Sequence, residues 1–283
     1  MRMAVTSTKQ LPSDASQILI VARYDVFKHL RSRRLIGLMI IEIVLIVLLL
    51  LVPPLVGNPY PKNPAEFVSS ITSTFTGILI VIAATMFAAD AISSEYQSRT
   101  GYLLFPNPLK KEAIYLGKFL STFLIAVLAV TIWYWVPILA GLVVTGSISS
   151  LAVESYLLAL LYAIAASSLG YLISSVMKGS IGAIILTFFL LFMILPVSDG
   201  LVGSLGGIEP SYSLTYQAGV VDNVFITPYP HSTVIIQPIP GDGNITIHNF
   251  IPQINLAIIV MTCYIIVANI IAIIVFKRRE MVG

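Results

Sequence analysis

The sequence predicts an all-α integral membrane protein with six transmembrane helices, an N-terminal interfacial elbow helix and a small extracellular subdomain between helices 5 and 6. Three observations predict it. The 283 residues are 57% hydrophobic and only 10% charged, with a mean hydropathy of +0.95, whereas a soluble domain carries about 25% charged residues. Six apolar runs, at about 35–56, 68–89, 119–144, 155–177, 180–198 and 254–276, are each long enough to cross a hydrocarbon core about 30 Å thick as a helix. The lysines and arginines fall almost entirely on one side of those runs.

Residues 1–15 read as a polar tail, too polar for a cleavable signal peptide, so the first span is expected to be retained. In 16–34, Ile18, Leu19, Ala22, Val26, Phe27 and Leu30 recur at helical spacing beside Arg23, Lys28, Arg31, Arg33 and Arg34. That pattern predicts an amphipathic interfacial helix; an ordinary basic juxtamembrane segment would explain the bases but not the stripe. Residues 35–283 form the six-span domain, and unbroken apolar runs mean helices rather than alternating barrel strands. A connector, 90–118, follows span 2. The next two loops are short, and 199–253 is rich in Pro, Gly and Tyr without any Lys or Arg. Within it, 233–237 and 245–248 flank Pro240-Gly241-Asp242-Gly243-Asn244, a β-hairpin signal.

Orientation follows from the bases. With the amino terminus inside, 15 of the 16 lysines and arginines are cytoplasmic and only Lys62 is outside. The expected location is therefore the cell membrane, multi-pass, with both termini cytoplasmic. The single permitted Asn-x-Ser/Thr acceptor, Asn244-Ile245-Thr246, then falls outside the cell as a candidate glycosylation site.

Composition and motifs exclude several functions. Gly117-Lys118 resembles the end of a P-loop, but Glu112 and Phe119 occupy positions that need Gly and Ser/Thr. A zincin would need H-E-x-x-H, yet His29, His231 and His248 all lie outside the apolar runs. An aspartyl membrane protease needs two carboxylates at depth, and only Glu42 is inside a span. No catalytic, cofactor or metal site is expected, and nucleic acid is not an expected partner. Two readings fit Glu42: a group lining a transport pathway, or a carboxyl near the inner interface that is protonated or paired with a base such as Arg34. Ala159, Ala163, Ser167, Gly170 and Ser174 form a small-residue stripe that predicts close helix packing. Cys263, the lone cysteine, reads as a small packing residue.

The connector carries the most specific signal. A charged stretch containing Glu95 and Arg99 leads to Thr100-Gly101. Tyr102, Leu103, Leu104 and Phe105 follow, then Pro106-Asn107-Pro108 and the pair Lys110-Lys111. A solvated loop has no use for four successive large apolar or aromatic residues, whereas a short helix docking into a partner's groove does.

This segment resembles the span 2–3 connector of the type-2 ABC exporter permeases, which include drug, antibiotic, polysaccharide and copper-associated exporter subunits. Members show an acid after an Ile-Ser-like step, then Gly-Thr, an apolar stretch, Pro, a basic cluster and Gly-Lys opening span 3. The matching places are Ile92, Ser93, Glu95, Thr100, Pro108, Lys110, Lys111, Gly117 and Lys118, although Gly101 follows Thr100 rather than preceding it. The resemblance implies a permease subunit without catalysis of its own. It would form a translocation pathway with a second copy or homologue in membrane lipid. Separate ABC-type ATPase subunits would carry the ATP and Mg and dock at Glu95, Arg99, Thr100, Leu103, Leu104, Phe105, Pro108, Lys110 and Lys111. The 199–253 segment would cap the exit. The alternative is a six-span channel or scaffold that anchors a cytoplasmic complex without transport.

Overall fold

Ser13, Ser32 and Asn63 each precede a helix and accept a hydrogen bond from a backbone N–H of its first turn. Such caps satisfy donors that have no partner within the helix, and so fix where it starts. The computed structural model describes residues 13–97, 110–239 and 243–278. Capped this way are α1 (Asp14–Leu30), α2 (Arg33–Leu55) and α3 (Pro64–Thr72). Then come α4 (Thr76–Ala83), a π-helical turn (Ala84–Ala88) and α5 (Ser93–Gln97). Two long helices follow, α6 (Lys111–Thr145) and α7 (Ser150–Val176). The next run is α8 (Ser180–Phe189), a π turn (Leu190–Ile194), α9 (Leu195–Gly200) and a second π turn (Leu201–Leu205). Short helices α10 (Leu214–Gln217) and α11 (Val220–Asn223) lead to strands β1 (Thr233–Ile239) and β2 (Gly243–Asn249), and α12 (Ile254–Arg278) ends the fold.

Among the described residues six helical stretches are long and apolar enough to span a membrane: Arg33–Leu55, Thr76–Gln97, Lys111–Thr145, Ser150–Val176, Ser180–Leu205 and Ile254–Arg278. The second begins later than the hydropathy alone suggests. Residues 69–76 are rich in Ser and Thr, and Ser69, Ser70, Thr72 and Thr76 turn their hydroxyls back onto carbonyls three or four residues earlier. Such back-bonding competes with the helical ladder and bends it, so α3 is a separate short helix. The fifth runs seven residues beyond 198, because two π turns keep the chain helical past Pro196.

Burial separates the spans into two groups. The most apolar window of the second span is 72% buried and that of the fourth 61%, against 22%, 22% and 17% for the first, fifth and sixth. Spans 2 and 4 therefore form the interior, and the other three leave apolar faces bare, as lipid or a second subunit requires. The stripe Ala159, Ala163, Ser167, Gly170 and Ser174 is buried. At Gly170 an added Cβ would come within 3.1 Å of Ala88 Cβ and 3.3 Å of the Ala84 carbonyl, so α7 lies directly on the π turn of span 2. Cys263 is a correction to the sequence reading, since it is exposed on α12 and fills no core gap.

The strands pair antiparallel from Thr233↔Asn249 to Ile239↔Gly243, and β2 packs against the second π turn of span 5. The hairpin thus sits at the end of the bundle opposite α1.

Candidate functional site

Gly117 and Lys118, adjacent on α6, organise the end of the bundle that carries α1. An added Cβ at Gly117 would lie 2.7 Å from Val21 Cβ and 2.8 Å from the Ile18 carbonyl oxygen. Only glycine lets α1 and α6 approach this closely. The close approach brings Lys118, 6% exposed, over the buried Asp25 of α1, 4% exposed. Lys118 Nζ donates to Asp25 Oδ1 at 3.3 Å and to Glu95 Oε1 at 2.8 Å. Ser121 Oγ donates to Asp25 Oδ2 at 3.0 Å, and His29 Nε2 lies 3.5 Å from the same oxygen. Lys28 Nζ lies 3.6 Å from Glu95 Oε1. Burial alone would raise the Asp25 carboxyl, but His29 and the Lys118 ammonium outweigh it and hold Asp25 well below the usual carboxylate range.

A buried charge is tolerated when paired and hydrogen-bonded. Here one ammonium joins three elements: α1 through Asp25, α5 through Glu95, and α6, which carries it.

A second node lies beside it. Arg34, at the start of α2, pairs with Asp90, which also accepts a hydrogen bond from Ser180 at the start of α8. Gln97 Oε1 accepts from the Ser180 backbone N–H at 2.9 Å, and Ser174 Oγ accepts from the N–H groups of Ile92 and Ser93 at 3.1 and 3.0 Å. The stretch from Asp90 to Gln97 is therefore tied to α2, α7 and α8.

The far end of the connector is tied down as well. Lys110 N–H donates to Gln17 Oε1 at 3.2 Å, and Lys110 Nζ pairs with Asp14 at 2.6 Å. Lys111 Nζ reaches the Lys277 carbonyl at 3.4 Å, and Lys277 pairs with Glu112, linking α6 to α12. Of the predicted coupling residues, Glu95, Lys110 and Lys111 stand at these two ends and contact α1 or α12. Arg99, Thr100, Leu103, Leu104, Phe105 and Pro108 lie outside the described residues.

Sequence reasoning missed Asp25, Gln17 and Asp14 as partners. One signal was available: Ile18, Ala22, Asp25 and His29 share a helical face, so an acid lies on the side that packs. The predicted apolar stripe is in fact divided. Ala22 is buried and Ile18 and Val26 half-buried, whereas Leu19, Phe27 and Leu30 are exposed, with Arg23 5.9 Å from the Phe27 ring centre.

Glu42 is 1% exposed and faces inward, beside a void of about 10 Å³ walled by Thr76, Ile80, Ala83, Ala129, Val130 and Trp133. Its Oε2 has no hydrogen-bond partner among the described residues. Arg34 is engaged with Asp90. The void has room for about one water molecule. Asn244 falls on β2 opposite Pro238; its side chain lies outside the described residues.

No curated relative matches the chain. The profile of the family described as ABC-2 family transporter protein matches residues 19–281, which takes in most of α1, the connector, all six spans and the hairpin. The chain therefore belongs to the ABC-2 transporter family and is a membrane permease component of an ABC transporter.

Proposed function

We propose that this chain is the membrane-spanning subunit of an exporter, that it works as a dimer with a second copy or homologue, and that separate ATPase subunits drive it through the 90–118 connector. Family membership supports association with ABC ATPases in general. The observation that carries the finer reading is the grip of α1 on both ends of the connector, at Glu95 through Lys28 and at Lys110 through Asp14 and Gln17. A force delivered at Glu95 or Lys110 passes through these contacts to α1 and α6 and, through Asp90 and Gln97, to α2 and α8. Rigid elements that share charged contacts move together or exchange one set of contacts for another, which is what a two-state transporter needs.

In this reading the α1 end is cytoplasmic. Leu19, Phe27 and Leu30 face the inner leaflet beside Arg23, and the hairpin end, with Asn244 as a glycosylation acceptor, lies outside. ATP and Mg stay on the partner ATPase, so this chain turns nothing over by itself.

The test is co-expression with an ATPase subunit from the same transporter, reconstitution and measurement of coupled hydrolysis and transport. Leu104→Asp and Phe105→Asp should abolish coupled turnover while the membrane subunit still elutes as the folded assembly. Unchanged turnover in both removes the connector from the mechanism. A functional subunit that neither binds nor needs an ATPase makes the chain a channel or scaffold.

A further inference from the structure

Asp222, on α11, is the unusual acid of the hairpin end. Its Oδ1 is buried and has no hydrogen-bond partner among the described residues. Ser73 hydrogen-bonds the carboxyl, and burial pushes it up to about 7 from the ordinary 3.8. It lines a cavity of about 310 Å³ between α4, the fifth span, Tyr162 of α7 and the chain around α10 and α11. That volume is at the small end of the range for organic-ligand sites. Ile78, Val81, Leu191 and Val221 give apolar walls, and Tyr162 and Phe192 contribute aromatic rings.

Among the described residues Asp222 is the only charged one lining the cavity. Asp199, whose Oδ2 accepts from Thr215 on the cavity wall at 2.5 Å, also has a buried oxygen, Oδ1, without a partner among the described residues. Residues 199–253 contain no Lys or Arg to neutralise either acid. Ile78 and Phe192 are 38% and 47% exposed, so the mouth opens sideways onto the apolar face of spans 2 and 5. An apolar route therefore leads to a lone negative group.

We propose that this cavity binds a lipophilic organic cation, of the aryl-ammonium class, with the Asp222 carboxylate as its counter-ion. Burial makes an unpaired carboxylate costly, and an incoming cation removes that cost. Aromatic walls favour quaternary ammonium groups through their ring faces. An anion or a zwitterion would meet the uncompensated acids of this end, and a neutral hydrocarbon would leave the orphan oxygen as it is. The site lies within one chain. Only the further step, that such a cation is cargo, rests on the exporter reading.

Equilibrium dialysis on the purified full chain in detergent, without any ATPase, tests binding apart from transport. The probe is phenyltrimethylammonium, and its uncharged isostere tert-butylbenzene is the control. Saturable binding of the cation at one site per chain is expected. Asp222→Asn should weaken it at least tenfold, while the exposed Glu154→Gln leaves it unchanged. Gly77→Leu keeps the acid but fills the mouth, since a Cβ there meets nothing within 4 Å; it should also weaken binding at least tenfold, and it decides the matter if Asp222→Asn does not fold. Equal binding to wild type and Gly77→Leu, equal binding to a folded Asp222→Asn, or no preference over the isostere overturns the proposal. Failure of ATPase coupling leaves this result intact, and failure of this result leaves the coupling intact.

Discussion

Lys118 holds Glu95 at 2.8 Å, and these two residues stand on either side of residues 98–109. The two limbs of the connector are thus fastened to each other on the α1 side of the bundle, with Asp25 completing the clamp.

Removing the shared ammonium should be severe. Lys118→Ala leaves Asp25 buried without its main cation, and a broken buried pair costs about 3–5 kcal/mol. Thermal unfolding in detergent should show that loss, and Lys118→Met combined with Asp25→Asn should recover most of it, as a double-mutant cycle would register. Full additivity of the two changes would mean the pair is not coupled.

Gly117→Leu tests the close approach of α1 and α6. The new side chain starts 2.7 Å from Val21 Cβ, so α1 must move away, at a cost of about 1–3 kcal/mol. A lower melting temperature with faster proteolysis within 14–30 is expected. Wild-type protection of that segment would show that α1 does not depend on this contact.

The two titrating acids pull stability in opposite directions with pH. Asp25 has a lowered folded-state pKa, so its contribution is present above the ordinary 3.8 and is lost as pH falls below it. Asp222 has a raised one, so the native state holds a proton that the unfolded chain releases, and stability falls as pH rises from 3.8 to about 7. Ser73, Tyr134 and Tyr162 are its polar neighbours. Melting curves from pH 4 to 8 should flatten in Asp222→Asn. The loss of stability below pH 4 should shrink in Asp25→Asn.

Glu42→Leu should retain transport and raise stability by about 1–2 kcal/mol, because it removes an unsatisfied buried oxygen from a tightly walled site. Transport lost with the fold intact would make Glu42 a pathway group instead.

The number of spans was legible because hydropathy depends on run length alone. The start of span 2 was not, since the hydroxyls of Ser69, Ser70 and Thr72 act on their own backbone and leave the hydropathy signal unchanged. Glu95, Lys110, Lys111, Gly117 and Lys118 stood out from the sequence as a motif, but their partners did not. Asp25 and Asp14 lie some 90 residues away in the chain, and no periodicity in the connector points to them. Cys263 was misread because a small apolar residue on a span looks the same whether it faces the interior or the outside. Nothing in the sequence sets Asp222 apart; it is the packing of α11 against α7 that buries one of its oxygens.

The two π turns of span 5 give that helix a freedom that an unbroken α ladder lacks. Each wide turn holds one residue more than the α ladder needs, and it can migrate by exchanging one carbonyl acceptor at a time. Every such step swivels the stretch it passes by about 100°, the rotation of a single residue. Leu191 and Phe192 sit in the first of these turns, so a change in its position would present a different side chain to the wall opposite Tyr162 without unwinding the helix.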